Sequence, residues 1–401
     1  MTTRRAAFGM FAILLFSYVI NAIDRQLFSV LASDVRVALD LTLPQVGLAS
    51  TVFTLGMGLA GLPTGYLLSR VSRKNVALLG LVIFSAATYL TAYAQGFPDL
   101  LLYRFVSGLG EAMQLTALLA IGTSYFYQHR AIAASSLNFT FGIGAIIGPN
   151  LGAAILGASH WQMPFILFGL SGLLALVLIV SCVKPWFTEA APLLVTTEMA
   201  SITGNRLWSR TPLLLAMATA FSGLSIYGYL GLYPTYLREA LGFSPQQAAM
   251  AVSCYGLGAL LSLLGGWLGD RFDFHKLLTG SLLASALFGG LLFTELNRSL
   301  PLHAGLSFAF GAAISGMVYA NLSAGIIKSL PPNLAAQASG LFVASLYIPA
   351  AFAGYLLGLL KTQFEWSLAG ITQISGCALM AALLTLTIKG RPSSSLARET
   401  I

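Results

Sequence analysis

Two short stretches decide how this chain folds: GYLLSRVSRK, residues 65–74, and GWLGDRFDFHK, residues 266–276. Each starts at a glycine that ends an apolar run and passes into a basic knot, and the two glycines stand 201 residues apart in a chain of 401. A looser echo links IIGPNLGAA around Pro149 with YIPAAFAG around Pro349. A unit repeated at half the chain length implies two similar halves facing one another.

Outward from these stretches the sequence is 57% hydrophobic and only 8% charged, which excludes a soluble globular domain of this length. A helix needs about 20 apolar residues to cross the hydrocarbon core of a bilayer. Twelve such runs are expected, at 6–30, 45–68, 76–94, 100–122, 132–156, 163–183, 212–237, 247–268, 277–295, 303–327, 337–360 and 366–388. The first could pass for a secretory leader, but Asn21, Asp24 and Arg25 follow where a small-residue cleavage site would sit, so it is read as a span. The expected fold is an all-α membrane protein with twelve transmembrane helices in two pseudo-symmetric six-helix bundles. Residues 1–184 form the first bundle, 185–210 a cytoplasmic linker and 211–401 the second.

Basic residues are retained on the cytoplasmic side. With the N-terminus inside, fifteen of the 21 Lys and Arg fall in inner loops and tails and four in outer loops, which places both termini in the cytoplasm. The same placement explains the net charge of +8 by anionic headgroups rather than nucleic acid. Cys182, Cys254 and Cys377 are scattered through apolar runs without motif spacing, so neither a disulfide nor a metal site is expected.

G-x-L-x-x-R-x-x-R-K after the second span (Gly65, Arg70, Arg73, Lys74), R-x-x-x-G-x-G in the fourth and G-x-x-x-G-P-x-x-G from Gly144 to Gly152 in the fifth resemble the motifs of the major facilitator superfamily. The resemblance covers the whole chain. It implies a secondary transporter working by alternating access, with Gly148, Pro149, Arg130, Asp270 and Arg271 among its gating positions. Ser69 stands where that family's loop motif usually has Asp, and Ser72 where it usually has Gly, while the second copy keeps Asp270 and Arg271. In the family the acid helps to latch the cytoplasmic side. Here either the first latch is weak or neighbouring loop residues compensate.

Four ionisable residues lie well inside spans: Asp24 and Arg25 in the first, Arg104 and Glu111 in the fourth. A charge near the bilayer centre costs about 2.5–3.5 kcal/mol on insertion scales, so such residues face a wet cavity or one another. Seven residues of α-helix advance about 700°, which leaves Arg104 and Glu111 on nearly one face and roughly 10 Å apart along the axis. Gly108 lies between them and lets a neighbour approach, with the first helix the expected neighbour.

NAIDRQLFSV, residues 21–30, and RFVSGLGEA, residues 104–112, resemble the first- and fourth-helix patterns of the anion:cation symporter family and of spinster-like transporters, with Ala22 where a Tyr is usual. That resemblance implies that Asp24 and Glu111 carry protons and that Arg25 and Arg104 pair with them or with a substrate carboxylate. Asn21 joins the same site. General physics agrees: a carboxylate changes its proton affinity as it passes between water and a dry, guanidinium-flanked site, whereas arginine keeps its charge. Glu111, nearer the midplane, is the expected proton carrier and Arg104, nearer the outer end, the expected anion guide. The plainer possibility is a static cluster that fixes helix packing.

The second half offers polarity without buried charge. Tyr227, Tyr319, Asn321 and Tyr347 are expected at the cavity, Tyr233 and Tyr236 in the interfacial aromatic belt, and His129, His160, His275 and His303 at solvated or interfacial positions. No phosphate loop, H-E-x-x-H or metal-spaced cluster is present, so neither an enzyme nor a cofactor is expected. The leading expectation is a monomeric, proton-gradient-driven symporter of a small organic anion, a sugar acid or other carboxylate, in a bacterial inner membrane. The alternatives are a proton-driven exporter of drugs or lysolipid-like amphiphiles, and a membrane-embedded receptor.

Overall fold

The computed structural model describes residues 2–68, 70–126, 130–190, 209–294, 298–330 and 335–388. Most of the expected linker, 191–208, lies outside them. Among the described residues, twelve helices are long and apolar enough to cross a bilayer. They are α1 (Arg4–Ala38), α2 (Leu43–Gly61), α3 (Arg73–Thr91), α4 (Phe97–Tyr125), α5 (Phe139–Ala158) and α6 (Gln162–Cys182) in one bundle, then α7 (Arg210–Glu239), α8 (Pro245–Gly269), α9 (Phe274–Leu292), α10 (Leu300–Lys328), α11 (Gly340–Gln363) and α12 (Trp366–Leu386) in the other. No strand occurs among the described residues. The helices are apolar nearly all round, as lipid-facing and core-facing surfaces together require.

Each of the twelve expected runs falls on one of these helices, but α1 continues eight residues past its expected end at residue 30 and reaches Ala38. Hydropathy stops at the polar Ser33, Asp34 and Arg36; the helix does not, because the side chains of Asp34 and Arg36 are held by the other bundle. α2 and α8 begin at N-caps whose side chains close capping boxes, Thr42 with Gln45 and Ser244 with Gln247. α11 is interrupted by a turn at Ala351 and Phe352, just after Pro349. α10 widens into a π segment at Ala312–Tyr319.

Small residues let helices meet where the site is built. A Cβ on Gly144 or Gly148 of α5 would strike Ala22 or Ile23 of α1, next to the Asp24–Arg25 pair. A Cβ on Gly108 would strike the Phe53 carbonyl, so the backbone nearest that glycine belongs to α2 rather than to the expected α1. Between the bundles, Gly47 of α2 and Gly354 of α11 pack backbone against backbone.

Candidate functional site

α1 and α4 bring the four buried charges together crosswise. Arg25 Nε lies 2.6 Å from Glu111 Oε2, and Arg104 Nη1 lies 3.0 Å from Asp24 Oδ2. Neighbours on a helix point about 100° apart, so Asp24 and Arg25 select different partners on α4. All four side chains are almost fully buried. Asn21 donates to Gln114, which in turn donates to Ser17 Oγ at 2.8 Å.

The two ion pairs have different surroundings. Arg104 is 1% exposed, and its guanidinium carbon lies 5.2 Å from the Phe28 ring centre and 5.1 Å from that of Phe53. Arg25 donates to the Tyr18 hydroxyl at 3.1 Å and borders a cavity of about 560 Å³ between the bundles. Tyr18 and Phe141 line that cavity from the first bundle, and Tyr227, Tyr255, Tyr319 and Tyr347 from the second. Arg25 is the one charged side chain in its wall among the described residues.

Four sequence expectations come out differently. Arg104, expected to guide an anion, is sealed between two phenyl rings with Asp24 and does not border the cavity. Asn21 does not border it either; it sits with Gln114 inside the first bundle. Asn321 donates to the Gly265 carbonyl at 3.1 Å and to the Met317 carbonyl at 2.8 Å, tying α10 to α8 instead of lining the cavity. Tyr233, Tyr236 and His303 are buried inside the second bundle rather than at the membrane interface. Their depth along the chain suggested the interface, but residues 229, 233 and 236 follow the i, i+4, i+7 spacing of one helix face, and that face of α7 points inward. Of the remaining histidines, His160 is exposed, His275 is half-buried and His129 lies outside the described residues.

The loop motif after α2 is tied into its own bundle. Ser72 caps α3, its side chain accepting from the Asn75 N–H at 3.2 Å, which accounts for Ser in place of the usual Gly. Glu189, which sequence reading missed, accepts from the Arg73 and Lys74 N–H groups at 3.1 Å each, placing a carboxylate at the positive end of α3. Arg73 and Lys74 also reach backbone carbonyls that follow α6, those of Ala190 at 3.0 Å and Val183 at 2.6 Å. Arg70 stacks on Tyr66 and Arg271 on Trp267, while Gly65 faces open space. Ser69 lies outside the described residues, as do the side chains of Arg130 and Asp270.

The end of the molecule away from the termini is closed. Arg238 of α7 forms a two-pronged pair with Asp34 of α1 and donates to the Val30 carbonyl at 3.1 Å. Arg36 meets Glu239 at 2.7 Å, and Thr51 donates to the Ala351 carbonyl at 2.7 Å. The signal available in sequence was that α1 and α7, first helices of equivalent halves, both end on an acid and a base. The cavity instead runs along α8 and α10 toward Trp267 and Ile327, near the end that bears the termini.

A family model for the Major Facilitator Superfamily matches residues 14–214 and 215–400. The chain is 26% identical over 391 residues to the "Probable sulfoacetate transporter SauU" of Cupriavidus necator, covering 88% of this chain and 87% of that one. It is 25% identical over 234 residues to the "Quinolone resistance protein NorA" of Staphylococcus aureus, covering 56% of this chain and 58% of that one. Among solved structures, a bacterial homolog of the human lysosomal transporter Spinster matches with a TM-score of 0.75 at 18% identity over 95% of each chain.

Proposed function

Because the chain belongs to the Major Facilitator Superfamily, a family of membrane transporters, we propose that it is a proton-coupled symporter that brings a small organic anion into a bacterial cell by alternating access. The observation behind this reading is that Arg25, the charged side chain in the cavity wall, is held from behind by Glu111 at 2.6 Å. A buried guanidinium is stable with one carboxylate beside it, and a second buried anion costs several kcal/mol. Glu111 and a substrate carboxylate or sulfonate therefore compete for Arg25. A proton on Glu111 frees the guanidinium for the anion, and loss of that proton returns Glu111 to Arg25 and expels the anion. Asp24 with Arg104, shut away from the cavity, is a second carboxylate that can take a proton when the helices move.

The hydroxyls of Tyr18, Tyr227, Tyr319 and Tyr347 around Arg25 suit hydroxylated acids. The relation to SauU supports an anionic substrate. With the termini in the cytoplasm, as the distribution of Lys and Arg indicates, the closed end faces outward and the cavity faces the cytoplasm, and the carrier works as a monomer.

The competing reading, export of drugs or lysolipid-like amphiphiles, draws on the aromatic side chains of Phe141 and Trp267 in the cavity wall and on the likeness to NorA. Binding measured by thermal shift decides between them: Arg25→Gln abolishes stabilisation by sulfoacetate and sugar acids in a symporter, whereas an exporter of amphiphiles keeps its stabilisation by lipophilic ligands in that variant.

A further inference from the structure

The second bundle contains a buried histidine that the charge competition at Arg25 does not use. His303, in the first turn of α10, is 1% exposed, and its Nδ1 lies 2.7 Å from the Tyr233 hydroxyl. Tyr233 stacks on Tyr229 with ring centres 4.7 Å apart, and Tyr229 stacks on Tyr255 at 5.1 Å. Tyr255 lines the cavity.

The hydroxyls of this column are met by one stripe of α10. Tyr229 donates to Ser307 at 3.0 Å, Ser307 also lies against the Tyr233 hydroxyl, and Tyr255 pairs with Ser315, itself a cavity residue. His303, Ser307, Gly311, Ser315 and Tyr319 recur every four residues. On a regular α-helix such a stripe drifts by about 40° per step. The π segment from Ala312 to Tyr319 turns more slowly and brings Ser315 and Tyr319 back into line. A widened turn that keeps polar groups in register from a buried histidine to a cavity points to a functional row.

We propose that His303 is a further proton-binding site of this carrier, apart from the two buried carboxylates, and that the Tyr233–Ser307–Tyr229 column links its proton occupancy to the cavity wall at Tyr255 and Ser315. The link follows from hydrogen-bond direction. While Nδ1 bears no proton it accepts from the Tyr233 hydroxyl. A proton arriving at Nδ1 gives the imidazole one positive charge and makes Nδ1–H the donor, so the Tyr233 O–H turns to another acceptor, for which Ser307 is placed. Ser307 then presents a different face to Tyr229. No other bond to hydrogen breaks.

Among the described residues, the rings facing His303 include those of Tyr233 and Tyr236 of α7, with ring centres 6.2 and 6.5 Å away, and that of Phe243 from the loop that follows, at 5.7 Å. Phe293, at the end of α9, and Trp366 of α12 close the surroundings behind the two tyrosines. Arg298, in the loop before α10, is exposed, and Glu295 of the same loop lies outside the described residues.

The test needs no substrate and so is separate from the anion reading. The purified full chain, labelled with 15N in its four histidines, is titrated in lipid nanodiscs, and His303 is assigned by the signal lost in His303→Gln. That signal is expected to move with pH between about pH 5 and 8. Tyr233→Phe should displace its midpoint by about half a pH unit or more, the size expected for loss of one hydrogen bond. Tyr255→Phe, at the cavity end, should also shift the His303 signal while that of His160 stays in place. Ser307→Ala serves as the column variant if Tyr233→Phe loses its monodisperse elution. A His303 signal that holds still across the range, or that ignores Tyr255→Phe, overturns the proposal.

Discussion

Removing the Arg238 side chain is expected to open the end of the molecule away from the termini. Arg238 gives Asp34 two charge-assisted hydrogen bonds and gives the Val30 carbonyl a third. A hydrogen bond to a charged group contributes about 1.5–3 kcal/mol when well buried. The two side chains are 15% and 30% exposed, so water replaces part of that, and the pair as a whole holds the bundles by about 2 kcal/mol. At 1.4 kcal/mol per tenfold change, Arg238→Ala lowers the ratio of closed to open molecules about 30-fold. A protein closed in about 99 molecules of 100 would then be open in about a quarter of them.

Nitroxide labels at Val37 and Phe364, both exposed near this end, report the opening as a second, longer distance in pulsed electron spin resonance, with the three native cysteines replaced. Asp34→Ala should give the same distribution, and the double variant little more than either single, because both remove one interaction. An unchanged distance distribution in both single variants would refute the assignment of this pair as a clamp.

Other perturbations follow from the same geometry. Gly354→Val places side-chain atoms against the Gly47 carbonyl, so the labels at Val37 and Phe364 should also separate in that variant. Arg104→Gln leaves Asp24 buried without its partner and should cost about 3–5 kcal/mol of stability; adding Asp24→Asn should recover part of the lost melting temperature. Ser72→Ala removes the cap of α3 and is expected to cost about 1 kcal/mol, seen as a lower melting midpoint, with transport otherwise retained.

Much of the fold could be read from the chain because a bilayer leaves so few alternatives: an apolar run long enough to cross becomes a helix. The end of α1 escaped that logic, since Asp34 and Arg36 are kept helical by partners on α7 that lie about 200 residues away in sequence. The four-charge cluster was legible as a set, because α1 and α4 each carry an acid and a base where water is absent. Its pairing was not. Whether Arg25 or Arg104 meets the cavity depends on how α1 and α4 are rotated about their axes, and the rings of Phe28 and Phe53 that seal Arg104 come from two different helices. Tyr233, Tyr236 and His303 were misplaced because depth in the membrane was read and facing was not. Glu189 lay beyond any motif, and only the fold brings it to the start of α3.

The central claim is that Glu111 and the transported anion compete for Arg25, with a proton deciding the winner. It is tested most directly in proteoliposomes holding the purified protein, with labelled sulfoacetate and sugar acids outside. An acidic exterior should drive accumulation of an anion by the native chain, while Glu111→Gln, fixed in the neutral form, should still exchange internal for external anion at equal concentrations but no longer accumulate it. Accumulation indifferent to the proton gradient, or a Glu111→Gln protein that concentrates the anion as the native one does, would contradict the competition.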